Sequence, residues 1–383
     1  MLLILLGFLC FSTIVQILSF ECFHKISGSD NIHAQTRVKV NSVHELRERR
    51  NRFNGVKNHG GGIGGIFTSD ETMGIRPLEQ ILAKAGVEVT DEIQQSLPPV
   101  DGIMNMYGPG PIILGLDRCE VFQNNVVQAD AFIGPAGMFN TGTNLLESML
   151  VKNCYLPDKV AKYGKGNNGI RFQVPWGKHS PVAWRFKHHA PMTKQINQTT
   201  FLPAVVIKDP YTWMDSMCRH AYAANWKHME GHCPNLVPTT PEEVDIVKGA
   251  ETFKVNIQYF PTNITHHESM AGLWNDWYGN WIDAEFPRLI VRFEDLLFHA
   301  EEVVGKVCEC AGGKMFDGPF QYIKDSAKQG TAHKGSNGLV KSMVKYGGKT
   351  NRVKSFQPED LEYAKKSLRA EVMGMFHYIQ PSS

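Results

Sequence analysis

Short apolar runs alternate with amphipathic segments in the middle of the chain. The runs "PIILGL" at 111–116, "AFI" at 131–133 and "AVVI" at 204–207 are typical of buried strands. The second run predicts a strand that ends near Ile133. A helix is predicted after this strand, and its apolar face consists of Leu145, Leu146, Met149 and Leu150. Strands that alternate with helices predict an α/β domain with a mostly parallel central sheet flanked by helices.

The chain divides into four parts by composition. Residues 1–24 contain the uncharged run Leu2–Phe20, which is long enough to cross a bilayer as a helix, so this part is a signal anchor or a cleaved signal peptide. Residues 25–72 include a charged stretch and the run "HGGGIGG", which are typical of a flexible stem. A lead-in of small helices is expected in 73–110, and the main domain is expected over 111–383.

Two segments further along predict helices. Four aromatic residues recur at i, i+3, i+4 and i+7 and therefore share one helical face, namely Trp274, Trp277, Tyr278 and Trp281. This spacing favours a place in the core, and a platform for stacking a sugar is the alternative. The segment 357–376 predicts a single helix with Pro358 at its first position, where proline is tolerated.

Charge and cysteine content restrict the compartment and the partners. The formal net charge of the chain is +2, which gives no reason to expect nucleic acid as a partner. Eight cysteines without zinc-ribbon spacing are compatible with disulfides in an oxidising compartment, although their pairing is not readable from the sequence. The triplets at Asn197 and Asn263 are glycosylation acceptors if the chain is translocated. These features favour the secretory pathway.

The stretch "GPAGMFNTGTNLL" at 134–146 joins a Gly-rich turn to the start of a predicted helix. A strand, such a turn and a helix N-terminus direct free backbone N–H groups and the positive end of the helix dipole at one point. The Walker spacing fits through Gly137 and Gly142, but Thr143 and Asn144 stand where Lys and Ser/Thr are required. The pattern therefore predicts an anion site unlike that of an ATP-using enzyme, and a purely structural turn is the alternative.

Four later segments complete a pattern together with this loop. In chain order they are "RFKHHAP" at 185–191, "FLPAVVIKDPYTWMDSMCRHAY" at 201–222, "LIVRFEDLL" at 289–297 and "HKGSNGLVK" at 333–341. The five segments in this order resemble a sulfotransferase that uses 3′-phosphoadenosine 5′-phosphosulfate (PAPS). The resemblance covers residues 110 to 345, and it implies the P-loop-like sulfotransferase architecture behind an N-terminal apolar segment and stem.

The resemblance assigns the sulfate end of PAPS and the catalytic residues. The family's P-K-S-G-T-T-W-L loop binds the 5′-phosphosulfate and is similar to "FNTGTNLL" here. The cofactor-binding residues that this implies are Asn140, Thr141, Gly142, Thr143 and Asn144. The family's K-T-H-L-P resembles "KHHAP", which implies His189 as the catalytic base.

The resemblance also assigns the 3′-phosphate. The family's R-N-P-x-D-x-x-x-S resembles "KDPYTWMDS", which implies that Lys208 and Ser216 bind this phosphate. Its R-K-G-x-x-G-x-x-K loop resembles the segment at 333–341 and implies a second phosphate-binding loop. The residues implied there are Lys334, Gly335 and Gly338.

Two positions differ from the family pattern. Asn140 stands where the family loop has its lysine, and Lys208 stands where the family has an arginine. A neutral amide cannot make the charge-assisted hydrogen bond that a lysine gives to a leaving phosphate. Lys187, the cation nearest to the predicted base in sequence, is therefore predicted to reach that phosphate and to act as a second catalytic residue.

The implied reaction moves a sulfuryl group from PAPS to an acceptor hydroxyl of a glycan or a small alcohol. Such a transfer requires alignment of two substrates, stabilisation of charge on the leaving group, and a base for the acceptor proton. No metal is required. A Golgi membrane protein with one span and a lumenal catalytic domain is implied, with the membrane as a partner if the N-terminal segment is uncleaved. A secreted protein after cleavage is the alternative.

Competing interpretations remain at this point. The whole chain could be a catalytically silent nucleotide-binding protein of the same fold, or a P-loop kinase. His179, His188 and His189 suggest zinc, but no recognised ligand spacing is present. His189 could lie merely at the surface, and Ser216 could face a groove between helices. The carboxylates in "RFEDL" belong to a structural motif of the family and are not assigned to catalysis.

Overall fold

The structure, a computed structural model, describes residues 77–227, 231–260, 263–325 and 338–381. Predictions for the N-terminal segment 1–24, for the stem 25–72 and for Lys334 and Gly335 lie outside these residues. Among the described residues, no helix is long and apolar enough to cross a membrane.

The described residues contain strands and helices in alternation. The strands are β1 (Ile113–Leu114), β2 (Phe132–Gly137), β3 (Cys154–Tyr155), β4 (Phe201–Ile207), β5 (Ala224–Trp226), β6 (Val255–Phe260), β7 (Asn263–His267), β8 (Leu289–Arg292) and β9 (Lys314–Met315). The helices are α1 (Leu78–Lys84), α2 (Asp91–Ser96), α3 (Val100–Tyr107), α4 (Cys119–Asn125), α5 (Thr143–Asn153), α6 (Pro157–Tyr163), α7 (Pro210–Arg219), α8 (Pro241–Ile246), α9 (Met270–Ile282), α10 (Asp295–Phe298), α11 (Ala300–Cys310), α12 (Gly338–Gly347), α13 (Pro358–Ser367) and α14 (Ala370–Met375).

A four-stranded sheet in the order β1-β8-β4-β2 forms the centre. The strand β4 pairs in parallel with β2 on one side and with β8 on the other, whereas β1 adds to the far edge of β8 in the antiparallel direction. Helices flank this sheet, so the α/β prediction is confirmed, with a sheet that is mixed because of β1. Both parallel pairs direct the carboxyl ends of β2, β4 and β8 to the same edge.

The segment 169–178 runs along the outer edge of β2. The Ile133 amide donates to the Gly169 carbonyl at 3.1 Å, and the Gly137 amide donates to the Lys178 carbonyl at 3.0 Å. These two contacts lie at the beginning and the end of β2. The segment therefore reaches the carboxyl end of the sheet at Lys178.

The core lies on both faces of β4, all seven residues of which are buried. The four aromatic residues of α9 are buried as well, so their interpretation as core is confirmed. Two of them also satisfy backbone groups of β4 and the residue after it. The Tyr278 hydroxyl donates to the Val206 carbonyl at 2.9 Å, and the Trp274 indole donates to the Lys208 carbonyl at 3.0 Å.

Two boundaries differ from the sequence prediction. The strand β2 continues to Gly137 instead of ending near Ile133, because pairing with β4 and with segment 169–178 carries the backbone through "GPAG". A Cβ at Gly134 would lie 2.5 Å from the Arg171 carbonyl oxygen, so glycine permits this close pairing. The single helix predicted in 357–376 is interrupted at Leu368, whose ψ of 132° is extended, and forms α13 and α14.

Three disulfides join distant elements of the described residues. They are Cys119–Cys310, Cys154–Cys308 and Cys218–Cys233. The first two fasten α4 and β3 to α11 across 191 and 154 residues of sequence. Closing such long loops restricts the unfolded chain and stabilises a fold by about 2–4 kcal/mol per bridge.

A buried histidine fastens the segment before α8 to helix α13. The His232 ring lies between the Glu243 carboxylate at 2.5 Å and the Asp360 carboxylate at 2.6 Å. Burial lowers the pKa of His232, but hydrogen bonds and charge from both carboxylates outweigh burial and raise the pKa above 6.5. The protonated ring is therefore the form that this part of the fold favours.

Candidate functional site

The loop 138–142 connects β2 to α5 at the carboxyl edge of the sheet. Its path requires two left-handed residues, Asn140 at φ 62° and Gly142 at φ 85°. A Cβ at Gly142 would collide with the Phe293 ring, so glycine is needed both for the backbone and for the packing. The Thr141 hydroxyl, which is buried, donates to the Met138 carbonyl at 2.8 Å and closes the loop.

The loop directs free donors at the start of a long helix. Within the described residues, none of the backbone N–H groups of residues 140–144 donates a hydrogen bond to a backbone or side-chain acceptor. These groups surround the first turn of α5, which is 11 residues long. Unpaired N–H groups and the positive end of the helix dipole favour an anion at this position.

The Asn140 side chain contributes to the loop in a way that the sequence did not indicate. Its amide donates to the His220 carbonyl at 2.7 Å and to the Ser216 carbonyl at 3.3 Å, both at the end of α7. The side chain thus connects the loop to α7, and the backbone N–H is the group that Asn140 leaves for a ligand.

Lys208 and Ser216, which the resemblance assigns to the same phosphate, lie together. The Lys208 ammonium donates to the Ser216 hydroxyl at 3.0 Å, to the Tyr346 hydroxyl at 3.0 Å and to the Asn140 carbonyl at 3.3 Å. Lys208 is 1% exposed, and these three acceptors occupy its three donors. The ammonium therefore fastens the anion loop to α7 and α12.

Tyr346 on α12 responds to the charge of Lys208. Burial raises the pKa of Tyr346. The charge and hydrogen bond of Lys208, with the charge of Lys345 and a hydrogen bond with Ser216, together outweigh burial and lower the pKa to about 8. The ammonium also lies 4.3 Å from the centre of the Tyr346 ring and 4.6 Å from that of Phe293. Lys208 consequently stabilises both the tyrosinate and the aromatic wall behind the loop.

A basic cleft of about 690 Å³ opens beside Ser216. Its lining residues come from α2, α7, α12 and the segment before α13, and are Ser96, Asp215, Arg219, Val340, Lys341, Val344, Lys345, Asn351, Lys354 and Ser355. Asp215 pairs with Arg219 at 2.6 Å and with Lys345 at 2.8 Å. Four cations against one carboxylate leave an excess of positive charge in the cleft.

The cleft continues the group around Lys208. Arg219 donates to the Ser216 hydroxyl at 3.2 Å, so one serine contacts both Lys208 and a cation of the cleft. Gly338, predicted in the second phosphate-binding loop, is the first residue of α12, the helix that supplies Lys341 and Lys345 to the cleft. Ser216 is 3% exposed, which leaves Arg219 and the lysines as the groups that a ligand in the cleft can reach.

Lys178 and His179, which the sequence prediction did not assign to the site, lie next to the anion loop. The Lys178 ammonium donates to the Asn144 side-chain oxygen at 2.6 Å. The His179 Nδ1 lies 2.6 Å from the Gly137 carbonyl oxygen, and its ring packs on Phe139 with 4.5 Å between centroids. Burial lowers the pKa of His179 to about 4, so the ring is neutral and Nδ1 carries the proton that it donates.

The predicted catalytic residues Lys187 and His189 lie on an exposed segment. His189 contacts the Gln198 amide at 3.0 Å, and Gln198 also accepts from the Phe186 amide and donates to the His188 carbonyl. In the described part of the chain, no hydrogen bond or ion pair joins either side chain to the loop 138–142. Their assignment stays a prediction.

The carboxylates of "RFEDL" have structural partners. Glu294 accepts from the Asp209 amide at 3.1 Å and from the Tyr378 hydroxyl at 2.9 Å, while Asp295 pairs with Arg292 at 2.6 Å. Burial, with the charge of Asp209, raises the pKa of Glu294 to about 7. Within the described ranges, no group of three or more His, Cys, Asp or Glu side chains is arranged to hold a metal ion.

Comparison with known proteins returns no match for this chain, whether with protein-family models, with curated sequences or with solved structures.

Proposed function

We propose that this chain is a sulfotransferase of the P-loop-like fold, which moves a sulfuryl group from PAPS to the hydroxyl of an acceptor such as a glycan or a small alcohol. The observation that carries the proposal is the connection that Lys208 and Ser216 make between two places suited to anions. One is the loop at the start of α5, and the other is the basic cleft at the end of α7.

Two separate anion positions suit a ligand with anionic groups at both ends. PAPS has a 5′-phosphosulfate and a 3′-phosphate on one nucleoside. In the proposed binding mode the N–H groups of residues 140–144 hold the 5′ end, and Arg219 with the lysines of α12 holds the 3′-phosphate. Lys208 and Ser216, whose donors are occupied, fix the two positions relative to each other.

The reaction needs little covalent participation from the protein. The acceptor oxygen attacks sulfur in line while the bond to the phosphate oxygen breaks, so charge gathers on the departing phosphate. Donors preorganised around that phosphate stabilise the charge where it develops. A histidine takes the proton from the acceptor hydroxyl, and His189 is the residue proposed for this role.

The proposed location is the lumen of the secretory pathway, with a Golgi membrane anchor or secretion after cleavage of the N-terminal segment. Three disulfides support an oxidising compartment. The two glycosylation triplets support translocation, since Asn197 and Asn263 are both exposed.

A transfer assay with radioactive PAPS tests this function. The full chain is incubated with the ³⁵S-labelled donor and a panel of complex glycans, polysaccharides and simple alcohols, beside Gly142→Ala as a variant with a damaged loop. We expect label in at least one acceptor with the wild type and much less with the variant. Nucleotide binding without transfer to any acceptor, and without release of the labelled group, would instead favour a silent nucleotide-binding protein.

A further inference from the structure

Lys178 is a buried cation whose charge has no anionic partner. It is 4% exposed, and its ammonium donates to the neutral side-chain oxygen of Asn144 at 2.6 Å. Within the described residues it forms no ion pair with a carboxylate, and Glu147 acts on it only from a distance. Burial lowers the pKa of Lys178 to about 8, which is the cost of removing this charge from water. A buried ammonium in such surroundings favours the arrival of an anion.

The backbone and a ring fix the place of this ammonium. The Gly137 amide donates to the Lys178 carbonyl at 3.0 Å, and His179 holds the Gly137 carbonyl from the other side. The Lys178 ammonium lies over the Phe172 ring, with 3.2 Å between its nitrogen and the ring centre. The cation is thus held at the end of β2 rather than on a mobile surface side chain.

The ammonium is directed at the anion loop. Asn144, which accepts its hydrogen bond, is the second residue of α5 and belongs to the set of residues 140–144 whose N–H groups are free in the described structure. The family loop has a lysine at the position of Asn140, but the Asn140 amide is directed at α7. Lys178 therefore brings a positive charge to the loop from a segment about 40 residues later in the chain.

We propose that Lys178 is a catalytic residue that binds the 5′-phosphosulfate and stabilises the phosphate that leaves, in place of a lysine within the loop. This inference rests on the proposed function. In the step, a bond forms between the acceptor oxygen and sulfur, and the bond between sulfur and the bridging phosphate oxygen breaks. The electron pair of that bond stays on the phosphate oxygen, which the Lys178 ammonium faces, and the acceptor proton goes to the histidine base.

Binding of two nucleotides isolates the role of Lys178. Adenosine 3′,5′-bisphosphate (3′-phosphoadenosine 5′-phosphate) has an anionic 5′ group, and adenosine 3′-phosphate lacks it. In the proposed binding mode only the 5′-phosphate contacts Lys178, so only the first nucleotide depends on this residue. Hydrogen bonds to charged groups contribute about 1.5–3 kcal/mol, which corresponds to about 10-fold to 150-fold in affinity. In the full chain, Lys178→Met should weaken the bisphosphate by roughly that factor and leave adenosine 3′-phosphate within about twofold. Lys178→Arg should recover most of the loss.

Matched variants and turnover of PAPS complete the experiment. Lys165→Met removes a charge from an exposed residue and serves as the control. Lys187→Met tests the alternative cation, and melting curves check each fold. If Lys178→Met fails to fold, Lys178→Gln, which keeps a donor for Asn144, takes its place.

Each outcome decides the matter. Selective loss of bisphosphate affinity and of turnover supports the inference. Equal weakening of both nucleotides, no effect at Lys178, or a loss confined to Lys187→Met would overturn it while the proposed function stands. A wild-type chain that binds neither nucleotide would contradict the proposed function, and the inference with it.

Discussion

Replacing Lys208 with methionine should remove the hydrogen bonds that connect the loop 138–142 to α7 and α12, and it should change the ionisation of Tyr346. The ammonium donates three hydrogen bonds, to Asn140, Ser216 and Tyr346, from a buried position. A buried acceptor left without a partner costs about 1–3 kcal/mol. Ser216 keeps its contacts with Thr212 and Arg219, so the Asn140 carbonyl and the Tyr346 hydroxyl carry most of the loss. We expect Lys208→Met to lower the free energy of unfolding by about 2–4 kcal/mol.

The same substitution should change the titration of Tyr346. In the wild type the pKa of this hydroxyl is about 8 instead of 10, because burial is outweighed by the charge and hydrogen bond of Lys208 together with smaller contributions from Lys345 and Ser216. Since the folded-state pKa is lowered, the tyrosinate stabilises the fold above pH 10, and this contribution is lost as the pH falls through 8. A difference of two pH units corresponds to roughly 3 kcal/mol.

Absorbance at 295 nm, where tyrosinate absorbs, measures the ionisation of Tyr346 as the pH is raised. The folded wild type should show a step of one tyrosine near pH 8, and Tyr346→Phe should remove it. In Lys208→Met the step should move to higher pH, because burial still raises the pKa of Tyr346 while the two contributions of Lys208 that lower it are lost. A step near pH 8 that persists in Lys208→Met would refute the electrostatic coupling, and unchanged stability in urea would refute the structural tie.

Three further outcomes are expected. His232→Gln should flatten the pH dependence of the melting temperature: the folded-state pKa of His232 is raised, so the wild type holds this contribution below pH 6.5 and loses it as the pH rises through the raised value. Gly142→Ala should lower the free energy of unfolding in urea by about 1–3 kcal/mol, because alanine disfavours the left-handed backbone and its Cβ would collide with Phe293. The same substitution should weaken nucleotide binding more than the control Lys165→Met does. Asn197→Gln and Asn263→Gln should each reduce the mass of the protein from a secreting eukaryotic cell by one glycan on mass spectrometry, and an unchanged mass would argue against translocation.

Local patterns in the sequence predicted the units of the fold. The apolar run before Lys208 and the helix after Pro210 were predictable because strand and helix periodicities are local. The resemblance assigned Lys208 and Ser216 to one phosphate, and the two side chains are in contact. The same reasoning placed the aromatic face of α9 in the core. It set the end of β2 too early, because the close pairing that carries the strand through Gly134 depends on Arg171, far away in sequence.

The missed parts of the site depend on contacts between distant segments. Lys178 follows a stretch without regular periodicity, and only its pairing with Gly137 brings it to the loop. Lys178 directly precedes His179 in the sequence, so a search for basic residues next to histidines could have found it. The resemblance identified Lys208 as a residue of the site. It did not indicate the burial of Lys208 or its three acceptors, because these depend on the packing of α12 against the end of β4. Disulfide pairing depends on the folded chain in the same way.

The proposed function requires a site that binds a nucleotide with anionic groups at both the 5′ and the 3′ positions. Calorimetric titration of the full chain with 3′-phosphoadenosine 5′-phosphate, the product of sulfuryl transfer, tests it beside ATP with magnesium. We expect saturable binding of 3′-phosphoadenosine 5′-phosphate, at least about tenfold tighter than that of ATP and weakened by Arg219→Ala in the basic cleft. No binding, or a preference for ATP with magnesium, would contradict it.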